Sequence, residues 1–308
     1  MITHGPIGVF GKLPAQGDFL RLNAADPVAQ GLQLWFEEGV ATLHRAGVKL
    51  SGEPVRFVYR IPSSPKLLVG VFTPSVDKVG RQFPLAIFVT AQAKEAAAQY
   101  QLLPAGYRGF LDAAAALLAE APRLDGRQLA ERLPILPLPA ASQLTGSETL
   151  LRRSAVVEQA RGFSERLFGE LALGFHYYAY WIFQSACTPV RAKEPPKANV
   201  ALDCPATQEV DVFAWLDLSR RLLRWPAPPP FFWREGPAGQ VLVSVGPAMG
   251  SLFAYLSDPT RNTNKVWPLK TTVPAAVSSA RQALGPAQLA AIDRAGASLE
   301  ELIEMLSR

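Results

Sequence analysis

The stretch Gly8-Val9-Phe10-Gly11-Lys12-Leu13-Pro14-Ala15-Gln16-Gly17-Asp18-Phe19 decides how this chain is read. It holds two adjacent apolar residues, a cation, a carboxylate, a proline and three glycines. A plain core strand does not look like this. Glycine either supplies a positive φ or lets a second backbone come close. The reading is a short strand over Ile7–Phe10 that ends in a shaped loop from Leu13-Pro14 onward. A phosphate-binding loop is excluded. That motif needs a glycine separated by four residues from Gly-Lys and a hydroxyl after it, but the chain has Pro6 and Leu13 there. The dinucleotide fingerprint fails as well, because Gly8 and Gly11 have the wrong spacing.

A second dense stretch follows, Thr73-Pro74-Ser75-Val76-Asp77-Lys78-Val79-Gly80-Arg81-Gln82-Phe83-Pro84-Leu85. It joins two segments, Lys66–Thr73 and Leu85–Thr90, that are apolar on both faces and read as central strands. Strand, charged loop and strand make a hairpin-like unit. Lys12, Lys78 and Arg81 form either an anion site or else a solvated surface or ion pairs with Asp18 or Asp77. The expectation is that the first loop brings Lys12 and Asp18 up to Asp77, Lys78 and Arg81. If these groups pair under packed loops they are structural. If they line an open pocket, chemistry follows.

Around these two stretches, strands and helices alternate. Asp26-Pro27 opens a helix, as N-cap and first residue, with Gly39 as a weak point and Gly47 as its stop. Val55–Ile61 alternates like a strand. Residues 107–121 are an Ala/Leu-rich helix, and the prolines of 133–139 break any helix there. Residues 147–173 read as a helix or helix pair broken at Gly162, and 175–183 as helix or strand. A short strand over 199–202, a helix over 212–225, strands at Phe231–Trp233 and Gln240–Val245, and a helix from Leu252 follow. The tail from Val273 is helical, with a capping box from Ser298 to Glu301. This order predicts an α/β fold with a mixed sheet covered on both faces. Residues 1–270 form its domain and 271–308 a helical C-terminal extension.

Composition narrows the function classes. The 308 residues are 49% hydrophobic and 19% charged, which is a globular balance. The net charge of +5 is not concentrated in a basic run, so nucleic acid is not indicated. Cys187 and Cys204 are far apart, and no zinc or disulfide pattern exists. No signal peptide or bilayer-length apolar run is visible, so a cytoplasmic protein is expected. His4, His44 and His176 lack metal-ligand spacing. Asp18, Asp77 and Asp203 are a metal site only if the fold converges them. Most aromatics, Trp35 and Trp215 among them, read as core, whereas Trp225 and Trp233, beside proline runs, are candidates for recognition.

The two dense stretches resemble the two signatures of the TagF family, accessory proteins of bacterial type VI secretion systems. Val212–Leu223, Phe231–Gly236 and Val241–Gly246 are similar to its C-terminal half, so the resemblance spans about residues 5–256. It implies a three-layer α/β/α fold and a non-enzymatic, post-translational repressor. Such a protein binds a forkhead-associated scaffold protein of the system in the cytoplasm, without cofactor, nucleic acid or membrane insertion. No phosphatase domain, which some members carry, is visible. The family transfers no catalytic residue. It marks Gly11, Lys12, Pro14, Gly17, Asp18, Phe19, Ser75, Asp77, Gly80, Arg81, Phe83, Pro84 and Trp233 as interaction or structural positions. The competing expectation is a nucleotide- or metal-binding enzyme built on Lys12, Asp18, Asp77 and Arg81.

Overall fold

In the computed structural model the described residues are 3–50, 52–195, 197, 200–261, 263–271 and 273–308. Nine strands form one sheet: β1 His4–Lys12, β2 Phe19–Leu22, β3 Val55–Tyr59, β4 Lys66–Thr73, β5 Leu85–Gln92, β6 Val200–Pro205, β7 Phe231–Arg234, β8 Gln240–Val245 and β9 Val266–Pro268. Their order is β2-β1-β5-β4-β3-β7-β8-β6-β9. Every neighbouring pair is antiparallel except β6 and β9, so the sheet is mixed.

Alternation along the central strands explains why both faces are covered. Leu67, Val69 and Val71 of β4 enter one core, and Leu68 and Phe72 enter the other. In β5, Leu85, Ile87 and Val89 face the first core, and Ala86 and Phe88 the second. A strand with no solvated face must be covered twice, and helices supply both layers.

The second core lies under α1, Pro27–Arg45. Its start is held by Asp26, whose Oδ1 accepts from the Val28 N–H at 3.1 Å. Gly47, at φ +65°, ends it. The expected weak point at Gly39 is instead where a second helix, Gly250–Ser257, crosses. A Cβ on Gly39 would fall 2.5 Å or less from three atoms of Phe253. Trp35 stacks on Phe232 at 4.7 Å, and its indole N–H donates to the Met249 carbonyl at 2.7 Å.

The first core is larger. In chain order its principal helices are α2 Arg108–Glu120, α3 Ala141–Val157, α4 Ala160–Phe168, α5 Phe175–Cys187 and α6 Glu209–Leu223. The Gly250–Ser257 helix of the other face is α7. The tail forms α8 Pro274–Ala283, α9 Pro286–Asp293 and α10 Leu299–Leu306. Helix α6 is buried along most of its length. Trp215 at its centre touches the rings of Phe163, Phe168, Tyr180 and Phe183 at 5.3–6.4 Å and donates to the Pro205 carbonyl at 2.9 Å. Trp215→Ala is expected to lower stability by about 3–5 kcal/mol, the usual cost of emptying such a site. Urea denaturation checks it, and a change no larger than that of a surface substitution would refute this account of the core.

Several sequence expectations are corrected. The helix break falls at Glu158-Gln159, not at Gly162, which lies inside α4. The cause is distant in sequence: the Leu299 N–H donates to the Glu158 carbonyl at 2.8 Å, and the Ala160 N–H to that of Ala297 at 2.9 Å. The tail is helical as expected, in three segments. Leu299, Leu302, Ile303 and Leu306 of α10 lie in the first core, and Ser298 forms the expected capping box with Glu301. The expected strand at 199–202 runs over Val200–Pro205, and Asn199 lies outside the described residues. Trp233 is not a recognition aromatic. It is buried on β7, between β3 and β8. Trp225 is buried too, donating to the Val190 carbonyl at 2.8 Å.

Candidate functional site

Both dense stretches meet at one end of the sheet. Strand β1 carries the first to Lys12, where the chain turns through 13–18 into β2, so that Lys12 pairs with Phe19. Beside β1, the β4–β5 hairpin presents the second, from the Thr73–Leu85 pair outward. Gly11 makes the junction possible. Its φ is +141°, and a Cβ there would lie 2.0 Å from the Pro84 carbonyl oxygen. The Lys12 N–H donates to that same oxygen at 3.3 Å.

The centre is Asp77. Its Oδ2 accepts from Lys12 Nζ at 2.8 Å and from Arg81 Nε at 2.7 Å. Its Oδ1 accepts from the Val79 and Arg81 N–H groups at 3.0 and 2.8 Å. An aspartate that accepts from backbone N–H groups two and four residues on is a local turn-former. Gly80, at φ +87°, completes the turn, and the Phe83 N–H donates to the Ser75 carbonyl at 3.0 Å. Burial works to raise the Asp77 pKa. The hydrogen bonds from Lys12, from the Arg81 N–H and guanidinium, and from Val79 outweigh it and hold the carboxyl well below the usual carboxylate range.

Lys12 is equally occupied. Besides Asp77 it donates to the Gly17 carbonyl at 3.2 Å, and its ammonium lies 4.4 Å from the Phe19 ring centroid. Arg81 Nη2 donates to the same Gly17 carbonyl. The Lys78 N–H reaches the Gln16 carbonyl at 3.0 Å, tying the two loops together. Phe10, Phe19 and Phe83 close the cluster as mutually packed rings, 4.9–5.7 Å apart. The Lys12–Asp77 pair is therefore buried, with side-chain exposures of 6% and 0%.

The expected approach of the two stretches is thus observed for Lys12, Asp77 and Arg81, which pair under packed loops. Asp18 and Lys78 do not join them. Both side chains are exposed, and Asp18 makes no ion pair among the described residues. Asp203 is far away. It lies on β6, six strand positions from β1 in the sheet, roughly 29 Å at the ordinary strand spacing. There it accepts from the Tyr255 hydroxyl at 2.6 Å. Among the described residues no group of three or more His, Cys, Asp or Glu side chains could hold a metal ion. Cys187 and Cys204 are buried free thiols whose pKa values burial pushes up. No helix among the described residues is long and apolar enough to cross a membrane.

Sequence reasoning missed Gln16 as the loop tether, and it marked Pro84 without its role as the acceptor for β1. Both act through backbone carbonyls, which residue identity does not reveal.

His176 stands apart, buried on α5 against Tyr177 with Nδ1 unpartnered. Burial lowers its pKa to about 4, against an opposing pull from Asp293 and a further push from Arg281. The folded value is below the unfolded one, so stability rises with pH between about 4 and 6.5. Acidification through that window should cost about 3 kcal/mol. His176→Gln should flatten this part of a pH–stability profile, and an unchanged slope would contradict the assignment.

These features define a three-layer α/β protein whose sheet end is locked by two interleaved, charge-paired loops. Residues 8–135 match the model of the TagF N-terminal domain, described as type VI secretion system-associated. It contains both dense stretches. Among solved structures, the chain is similar to that of PA0076 from Pseudomonas aeruginosa PAO1, with 24% identity and a TM-score of 0.37. That match covers 44% of this chain and spans 64% of the PA0076 chain. No curated protein matched in sequence.

Proposed function

We propose that this protein is a non-catalytic accessory regulator of a type VI secretion system. It represses secretion post-translationally by binding a forkhead-associated scaffold protein of that system in the cytoplasm. The observation that carries the reading is the TagF N-terminal domain over residues 8–135. The geometry of its signature residues supports a role without catalysis. A nucleophile, general base or metal ligand needs a free lone pair facing a substrate. Both Asp77 oxygens already accept two hydrogen bonds each, and the Lys12 ammonium is buried against Asp77, Gly17 and Phe19.

The test is capture and secretion in the native host. Tagged protein should co-purify with the scaffold, and overexpression should stop release of the system's tube protein. Absence of both effects would overturn the proposal. Nucleotide or divalent-metal binding by calorimetry, abolished by Lys12→Ala, would favour an enzyme instead.

A further inference from the structure

The turn Val76–Arg81 combines a rigid base with an apolar, basic tip. Its base is fixed by the four hydrogen bonds to Asp77 and by Gly80 in the left-handed region. Yet nothing among the described residues covers the tip. Val79 is 69% exposed and Val76 42%. A loop needs no such bracing simply to join two strands. Bracing lowers the ordering cost when the loop meets a partner.

The charges around the tip are mostly of one sign. Lys78 is exposed, and the Arg81 side chain is 60% exposed beyond its bond to Asp77. Arg21 on β2 lies 5.6 Å from the centroids of Phe10 and Phe19, the rings that close the same cluster. Lys49 is also exposed, and its neighbour Leu50 donates its N–H to the Gln82 side chain, just after the turn. Asp18 is the acid beside them, since Asp77 is neutralised and buried. Next to this rim β2 is the end strand of the sheet, paired among the described residues with β1 alone. It has four residues, one of them Arg21, and short charged edges resist strand addition. Recognition here is therefore through side chains of the turn.

We propose that the turn Val76–Arg81, flanked by Arg21 and Lys49, is the surface with which this chain docks onto its partner. The matching face carries an apolar seat for Val79 within an acidic rim. This rests on the function proposed above and names the surface it uses.

The test is calorimetric titration of the purified full chain with the host's forkhead-associated scaffold protein at two salt concentrations. Val79→Asp should weaken binding roughly tenfold or more, as loss of a central apolar anchor does. Lys78→Glu should weaken it several-fold and make the affinity less salt-dependent. Leu150→Asp, at an exposed position on α3, should leave it within twofold. All three variants should melt with the wild type. If the wild type binds and Val79→Asp and Lys78→Glu stay within twofold of it, this assignment is wrong and the function stands. If the wild type does not bind, both fall.

Discussion

Replacing Gly11 with alanine is expected to cost about 4 kcal/mol or more, which places it among the most damaging single changes. Two effects add. The added Cβ would meet the Pro84 carbonyl oxygen at 2.0 Å and the Leu85 Cα at 2.7 Å, and these are backbone atoms with no rotamer to escape into. The φ of +141° is also one that a side chain rarely adopts. The two strands would have to part where Lys12 enters its pocket. Gly17 is the matched control. Among the described residues no atom beyond its chain neighbours lies within 4 Å of its would-be Cβ, and its backbone is not left-handed. Gly17→Ala should change stability by no more than about 0.5 kcal/mol. Urea denaturation of the two variants separates them. Equal midpoints would mean that β1 and β5 approach less closely than described.

The second large effect is the removal of one partner from the buried pair. Asp77→Asn keeps the size of the side chain but leaves the Lys12 ammonium buried against an amide. An uncompensated buried charge costs more than loss of the whole pair. The denaturation midpoint should therefore fall further in Asp77→Asn than in the double variant Lys12→Met/Asp77→Asn. Arg81→Ala should produce the smallest change, because that side chain is 60% exposed and solvent screens its share of the interaction. The double-mutant cycle measures the coupling directly. Additive effects would show that Lys12 and Asp77 do not depend on one another.

Elements whose pattern is local were legible in the sequence. Lys66–Thr73 and Gln240–Val245 are strands over the residues that their apolar runs delimit. The caps at Asp26 and Ser298 are side chains that bond their own helix starts. Elements defined by a remote partner were not. Strand β9 is three residues ending in Pro268 and exists because it lies parallel to β6. Strand β2 is too short to display a period and becomes a strand by pairing with β1. The same division runs through the site. The meeting of Lys12 with Asp77 and Arg81 follows from opposite charges on two glycine-shaped loops. The exclusion of Asp18 does not, because nothing in its sequence neighbourhood says which way its carboxylate turns.

The seam between β3 and β7 bears on how the molecule can be dissected. Among the described residues, three residue pairs, from Arg56–Trp233 to Val58–Phe231, join the strands contributed by residues 8–135 to the remainder of the sheet. A family boundary drawn there is not a folding boundary. Expressed without the rest, the N-terminal segment would keep β3 paired with β4 but leave open the edge of Phe57 and Val58 that meets β7, with α7 gone from above Gly39 and Trp35. Such a fragment should self-associate through that open edge. Heredity can recognise this portion as a module, but the hydrophobic effect treats it as half of an indivisible whole.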